Sequence, residues 1–212
     1  MDFYHVLNRG TDKRAIATDD SDRVRFLHDM YVFNDSGHAL HPKQPERQEK
    51  GHKRDLLVLI HAFCLMRNHY HLLLSELVEN GISLYMQKLN MGYTKYFNER
   101  HRRVGTLWQG KYKKILIERD AHFLYIPYYI HLNPLDYTMP EWREGKVKSP
   151  KKALSSLRTY RWSSHLDYLG IKNFPSLTNR KEIFGLKPAE YEKEIMRIIS
   201  TPDITTPSSF IE

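Results

Sequence analysis

The sequence is poor in several features that would place it in familiar classes. It has one cysteine, Cys64, inside an apolar run, which excludes a disulfide framework. No run reaches the roughly 18 apolar residues that cross a membrane, and residues 1–10 lack the apolar stretch of a signal peptide. No glycine-rich phosphate loop is present, so we expect no nucleotide cofactor. These absences predict a cytoplasmic protein that does not associate with membranes.

Positive charge is in excess over the 212 residues, with 33 Lys and Arg against 25 Asp and Glu, a formal net charge of +8. Residues 87–116 contain eight bases and one acid, and residues 143–161 contain seven bases and one acid. Cations neutralise phosphates and the interleaved aromatic rings can stack on bases, which favours a nucleic-acid partner over merely solvated helix faces. The predicted binding residues are Arg9, Lys95, Arg100, Arg102, Arg103, Trp108, Lys111, Lys113, Lys114, Lys151, Lys152, Arg158 and Arg161.

The pattern of apolar residues predicts a short strand first and then alternating helices and strands. Because the strands are short and the helices amphipathic, an α+β fold with helices packed on a small sheet is expected. Polar residues 34–54 are interpreted as a loop, residues 181–200 as one or two final helices, and the last dozen residues as loose. The predicted strands are 3–7, 56–66, 69–74 and 111–117, and the predicted helices are 19–32, 83–100 and 120–133.

The sharpest chemical feature is His69-Tyr70-His71 on a predicted strand. Side chains two positions apart point to the same face of a strand, so the two imidazoles emerge side by side while Tyr70 faces the other way. Neighbouring imidazoles suit a divalent metal ion. Such pairs also arise by chance in a chain with 12 histidines, so two ordinary surface histidines are the alternative.

A second feature is the helix predicted over residues 120–133. Positions four apart are neighbours on a helix, so Tyr125, Tyr129 and Asn133 share one stripe. A phenol and a carboxamide one turn apart can both face the histidine pair, although tyrosines on such helices are usually core residues. Pro127 should kink or break this helix. Tyr128 is a rival to Tyr129 but lies about 100° around the helix.

Five motifs resemble those of single-tyrosine transposases of the histidine-hydrophobe-histidine (HUH) type, and within them the REP-associated branch. Each motif is short, but their shared order over about residues 3–170 makes the resemblance specific. The motifs are Tyr4-His5-Val6 with Arg9-Gly10, residues 66–73, residues 107–113, residues 129–134 and residues 160–165.

The resemblance implies a fold and a set of roles. The fold would be an α+β, ferredoxin-like or RNA-recognition-like antiparallel sheet flanked by helices, with a C-terminal helical extension. His69 and His71 would bind Mg²⁺ or Mn²⁺, Asn133 would stand where a third ligand is common, and Tyr129 would be the nucleophile.

The resemblance also implies a substrate and a domain division. Single-stranded, hairpin-associated DNA would be cleaved and rejoined through a 5′-phosphotyrosine by a monomer or a homodimer. Residues 1–140 would form the transposase domain and residues 141–212 a basic, helical extension. A DNA partner places the protein with the nucleoid in the cytoplasm.

Three other functions stay open on the sequence alone. A transposase-derived protein that binds hairpin DNA or RNA without catalysis would leave Tyr129 away from the histidine pair. A zinc hydrolase would use the same pair with a third ligand such as His61 or His131. A rolling-circle replication initiator shares the chemistry but usually has a longer chain or a helicase partner.

Overall fold

The computed structural model describes residues 1–37, 54–118, 125–179 and 187–201, and the backbone alone of residues 120–124. Most of the predicted loop, the start of the predicted final helix and the last residues lie outside these ranges. The helices and strands, in chain order, are β1 (Phe3–Arg9), α1 (Asp20–Val32), β2 (Val58–Leu65), β3 (His69–Glu76), α2 (Gly81–Arg100), β4 (Lys113–Leu116), α3 (Asp120–Leu132), α4 (Pro150–Thr159), α5 (His165–Tyr168) and α6 (Pro188–Ser200).

The four strands form one antiparallel sheet in the order β2-β3-β1-β4. A tight turn joins β2 to β3, where Met66 N–H donates to the His69 carbonyl at 2.8 Å. The connectivity β1-α1-β2-β3-α2-β4 with this strand order is the ferredoxin-like arrangement. The α+β fold with flanking helices that the sequence predicts is therefore confirmed.

Register decides which side chains share a face of the sheet. Leu7 on the central strand β1 lies opposite His71 on one side and Lys113 on the other. Directly paired residues point to the same face, and faces alternate along each strand. His5, Leu7, His69 and His71 therefore lie on one face, here called the histidine face. Tyr70 lies on the opposite face.

The face that carries Tyr70 is covered by α1 and α2. Helix α1 is capped by Asp19, whose carboxylate accepts from Asp22 N–H at 3.1 Å. Apolar side chains of both helices form one buried core with this face, in which Tyr70 and Tyr93 each contact Phe26 through their rings. Burial of this side fixes the register of the strands and so the position of the histidines.

The histidine face is covered by α3 and by the chain after it. Ala62, Cys64 and Leu73 from the sheet pack against apolar residues of α3, α4 and α6 in a second buried core. Residues on both sides of the predicted domain boundary at 140 share this core. The boundary itself stays a prediction, but α4 to α6 pack against the sheet through this shared core.

The motif at residues 160–165 covers the exposed edge of β2. Leu65 N–H donates to the Trp162 carbonyl at 2.9 Å, and Ser164 N–H donates to the Phe63 carbonyl at 3.0 Å. The Tyr160 hydroxyl donates to the Leu65 carbonyl at 2.6 Å. Edge strands present unpaired backbone groups, and these bonds satisfy part of that edge.

Helix α3 continues through Pro127 to Leu132, so the proline does not break the helix, which was one of the two outcomes that the sequence predicted, and a kink stays a prediction. A proline removes one backbone donor, and here the surrounding buried contacts hold the helix. Neither α3 nor any other helix within the described residues is long and apolar enough to cross a membrane.

Candidate active site

The structure brings the predicted nucleophile next to the histidine face. The ring of Tyr129 lies edge-on to His71, with centroids 5.7 Å apart, and edge-on to His5 at 5.9 Å. The rings of His69 and His71 are 5.0 Å apart. Tyr129 and His71 are each 1% exposed. A phenol carried by α3 and a pair of imidazoles carried by β3 thus form one cluster.

His5 is a member of this cluster that the sequence reasoning did not assign. Its Nε2 lies 2.9 Å from Nδ1 of His71, and both rings are buried. Burial lowers the pKa of His5 to about 3. The pKa of His71 is also lowered, chiefly by burial and then by the charges of His69, His5 and Arg143. Both imidazoles are therefore neutral at pH 7.

The contacts of the paired histidines suit metal ligation. Nδ1 of His69 lies 2.7 Å from the Asn68 side-chain oxygen, which selects the tautomer with the lone pair on Nε2. His71 can donate from Nδ1 to His5, and in that tautomer its lone pair is also on Nε2. Neutral imidazoles with one nitrogen oriented by a neighbour are the usual form of histidine ligands. His69 and His71 therefore fit a divalent ion.

Asn133 does share the helical stripe of Tyr129, but its carboxamide makes other bonds. Its Nδ2 donates to the Tyr129 carbonyl at 2.8 Å, and its Oδ1 accepts from Arg143 at 3.2 Å. Ligation of a metal by Asn133 would require the oxygen to exchange Arg143 for the ion. The third-ligand role stays a prediction.

Arg143 contacts both Asn133 and the hydroxyl of Tyr129. Its Nη1 donates to the Tyr129 hydroxyl at 3.3 Å, and its guanidinium lies 5.4 Å from the centre of that ring. Asp136 accepts from Nε at 3.0 Å and from Nη2 at 2.6 Å. Burial opposes the charge of Arg143, but bonds to Asp136 and Tyr129 outweigh it and raise the pKa. Arg143 belongs to the basic tract of residues 143–161 but is not among the predicted binding residues, and the structure directs it to Tyr129 and Asp136.

Tyr128 points away from the histidine face, as its position on the helix predicts. Its ring stacks on Tyr191 of α6, with centroids 5.3 Å apart. Burial raises the pKa of Tyr128 to about 12. It is a packing residue between α3 and α6.

His131 is held in a buried network that the sequence reasoning missed. Its Nε2 lies 2.6 Å from the Ser164 hydroxyl and its Nδ1 lies 2.7 Å from the Tyr191 hydroxyl. The same hydroxyl lies 2.9 Å from Nδ1 of His165. The network ties α3, two residues beyond Tyr129, to the 160–165 motif and to α6.

These contacts also bear on the zinc-hydrolase alternative. His131 and His61 were its candidate third ligands, and His61 lies 2.8 Å from the Ser75 hydroxyl. Within the ranges that the structure describes, no three His, Cys, Asp or Glu side chains are grouped to hold a metal ion. The donor set that a zinc hydrolase needs is thus missing there.

Three of the predicted DNA-binding cations adjoin the histidine face. Arg9, Lys111 and Lys113 line a cavity of about 170 Å³ together with Leu7, the register partner of both His71 and Lys113. This cavity lies one β-strand away from the histidine pair.

Two predicted binding residues have structural roles instead. Trp108 is 8% exposed and its indole N–H donates to the Asn90 carbonyl at 3.1 Å, so its ring cannot stack on a base. Arg100 forms ion pairs with Asp19 and the buried Asp22 and holds α2 against α1. Both residues were predicted from their type alone, whereas tertiary packing decides whether a side chain is available to bind DNA.

The other predicted binding residues lie on the surface, and their role stays a prediction. Lys114 pairs with Glu76 at 3.0 Å and Arg158 pairs with Glu192 at 2.7 Å, so each already has an anionic neighbour. Arg103 lies over the Phe97 ring, 5.6 Å from its centre. The exposed remainder comprises Lys95, Arg102, Lys151, Lys152 and Arg161.

A small antiparallel sheet that presents paired histidines to a helix-borne tyrosine is the arrangement expected of a single-tyrosine transposase. Residues 47–133 match the family described as "Transposase IS200 like", a segment that contains His69, His71, Tyr129 and Asn133. The family resemblance recognised in the sequence motifs is therefore confirmed.

A solved structure is similar to this fold. A REP-associated tyrosine transposase bound to a REP hairpin matches 87% of this chain over 88% of its own, with a TM-score of 0.50 and 12% identity. At this identity the match shows the fold alone. No curated protein matches the chain.

Proposed function

We propose that this protein cleaves and rejoins single-stranded DNA beside a hairpin, with Tyr129 as the nucleophile. Attack of the phenolic oxygen on a backbone phosphorus forms a 5′-phosphotyrosine and releases a 3′-hydroxyl. The phosphodiester energy is kept in the tyrosine ester. A different 3′-hydroxyl can therefore attack the same phosphorus, and no nucleotide cofactor is required.

The observation that carries this proposal is the position of the Tyr129 ring against His71 and His5 in one buried cluster. Residues 58 positions apart in the chain meet there because α3 crosses the histidine face. A core tyrosine needs no such partners, whereas a nucleophile must stand beside the groups that hold its phosphate.

The chain's own residues divide the work. His69 and His71 would hold Mg²⁺ or Mn²⁺, and Asn133 is the candidate third ligand. A bound divalent ion polarises the scissile phosphate and offsets its developing negative charge. His5 orients His71 through their ring nitrogens, 2.9 Å apart, and packs against the nucleophile.

The partner is supported by the charge beside the site and by the solved relative. Arg9, Lys111 and Lys113 can neutralise phosphates of a strand that enters the neighbouring cavity. The relative with the same fold is bound to a REP hairpin. We further propose that the protein acts as a monomer or a homodimer and that it is located in the cytoplasm with the nucleoid.

The test is a cleavage assay on single-stranded oligonucleotides that carry a hairpin, with Mn²⁺ or Mg²⁺. Wild-type protein should form a covalent adduct that denaturing gels retain and mass spectrometry assigns to Tyr129. Tyr129→Phe should form none, because it lacks the attacking oxygen.

Tyr128→Phe is the matched control, since it removes one hydroxyl from the adjacent position while keeping the ring that stacks on Tyr191. This variant should form the adduct at the wild-type rate. Undiminished adduct from Tyr129→Phe would refute the assignment.

The burial of Tyr129 favours a second candidate, a hairpin-binding protein without catalysis. At 1% exposure the phenol must become accessible before it can attack DNA. This candidate predicts hairpin binding that is unaffected by EDTA, together with no adduct on any oligonucleotide.

A further inference from the structure

Arg143 lies in the basic tract after α3, yet its guanidinium is directed at the nucleophile. Its side chain is 31% exposed, and it belongs to a short 3-10 helix, Pro140–Glu144. The contact of Nη1 with the Tyr129 hydroxyl, at 3.3 Å, joins a fixed positive charge to the atom that would attack phosphorus.

We propose that Arg143 is a second catalytic residue, which holds the Tyr129 oxygen and stabilises the negative charge on it during strand transfer. This inference rests on the proposed function, because it concerns the same reaction. It gives a specific task to one cation of the basic tract of residues 143–161.

The guanidinium is held in place by groups other than Tyr129. Asp136 accepts from Nε and Nη2, and Trp142 Nε1–H donates to the same carboxylate at 2.7 Å. The guanidinium also lies 4.8 Å from the centre of the Trp142 ring. Because the guanidinium is planar, the bonds that hold Nε and Nη2 also fix the direction of Nη1, which points at the phenol oxygen of Tyr129.

Such a donor acts in both directions of the reaction. As the P–Oη bond forms and the P–O3′ bond breaks, the phenol proton passes to solvent and the leaving 3′ oxygen gains a proton from solvent. In rejoining, the P–O3′ bond forms as the P–Oη bond breaks, and the new 3′-hydroxyl loses its proton to solvent. The phenol oxygen leaves with the electron pair and then takes up a proton from solvent. Arg143 stabilises charge on the phenol oxygen in each case.

A structural role for Arg143 makes different predictions. Ion pairing with Asp136 and stacking on Trp142 would stabilise the segment after α3, whatever Nη1 contacts. In that case loss of Arg143 would lower the unfolding temperature, and an added cation would not restore the rate.

The experiment measures the single-turnover rate of adduct formation for wild-type protein, Arg143→Lys and Arg143→Met with saturating hairpin oligonucleotide and Mn²⁺. Removal of one preorganised donor typically slows a reaction about 100-fold or more, which is the loss expected for Arg143→Met. Lysine keeps the charge but not the fork, so Arg143→Lys should retain an intermediate rate. Guanidinium ion, well below denaturing concentrations, should accelerate Arg143→Met.

Arg197→Met is the matched control, since it also removes one arginine and one ion pair, here with Glu194 on the exposed face of α6. It should react at the wild-type rate. Equal rates for wild type and Arg143→Met would overturn the inference and leave the proposed function standing. Equal loss in both Arg143 variants without rescue would assign a structural role and overturn it as well.

Two remaining outcomes are also decisive. If wild-type protein forms no adduct on any hairpin oligonucleotide, the proposed function fails and this inference fails with it. If Arg143→Met does not fold, Arg143→Lys decides: a wild-type rate overturns the inference, and a slower rate that guanidinium ion raises supports it.

Discussion

Removal of one hydroxyl, in Tyr191→Phe, should loosen the attachment of α3 to the C-terminal helices. The Tyr191 side chain is 1% exposed, and its hydroxyl lies within 2.9 Å of Nδ1 of both His131 and His165. Phenylalanine keeps the ring and its packing but leaves two buried imidazole nitrogens without that partner. Each buried group left unsatisfied costs about 1–3 kcal/mol, so for the two groups we expect a loss of roughly 2–6 kcal/mol in unfolding free energy.

Urea unfolding followed by circular dichroism measures this loss as a shift of the midpoint at constant slope. In a chain of this size each kcal/mol lowers the unfolding temperature by roughly 2–4 °C, so the same loss lowers it by at least about 4 °C. Tyr112→Phe is the matched control, because its hydroxyl donates to the Ser83 hydroxyl at 3.3 Å on the surface. That variant should stay within about 0.5 kcal/mol of wild type. A Tyr191→Phe protein equally close to wild type would refute the network's contribution.

Two further predictions follow from charge. Burial lowers the pKa of His61 to about 4 and that of His165 to about 3, from 6.5. As the pH falls, these histidines therefore take up protons in the unfolded chain before they do so in the folded protein. The unfolding free energy is thus highest above pH 6.5 and decreases below it, by up to about 1.4 kcal/mol per pH unit for each histidine. A urea midpoint that does not change between about pH 7 and about pH 5 would contradict this. Replacing Lys111 and Lys113 with Gln should weaken single-strand binding and reduce its salt slope by about 0.7 per lost phosphate contact, whereas Arg100→Gln should lower stability and leave the slope unchanged. Fluorescence anisotropy over a range of salt concentrations measures both, and equal slopes for all proteins would be inconsistent with the cavity as a binding site.

The parts of the site that could be predicted from the sequence are those governed by local periodicity. Alternation along a strand places His69 and His71 on one face, and the turn of a helix places Asn133 beside Tyr129. Apolar patterns of the strands and helices predict the α+β fold. Each of these inferences needs only residues that are close together in the chain.

The parts that could not be predicted depend on contacts between distant elements. His5 and His71 are 66 positions apart in the chain, and they meet only because β1 pairs with β3 in one register. Arg143 and Arg100 look alike in a charge count, and only the fold turns the first toward Tyr129 and the second toward Asp22. Side-chain type thus indicated the chemistry, while register and packing decided which residues take part.

Residues beyond position 140 therefore contribute to the candidate site as well as to stability. Arg143 contacts the Tyr129 hydroxyl, and Ser164 and Tyr191 hold His131 two residues further along the same helix. These contacts come from three separate segments beyond the predicted boundary at residue 140, and all of them reach α3. A nucleophile on a helix can be aimed only as precisely as that helix is held. The orientation of Tyr129 against the histidine face is thus set from two sides, by β1 and β3 on one side and by these three segments on the other.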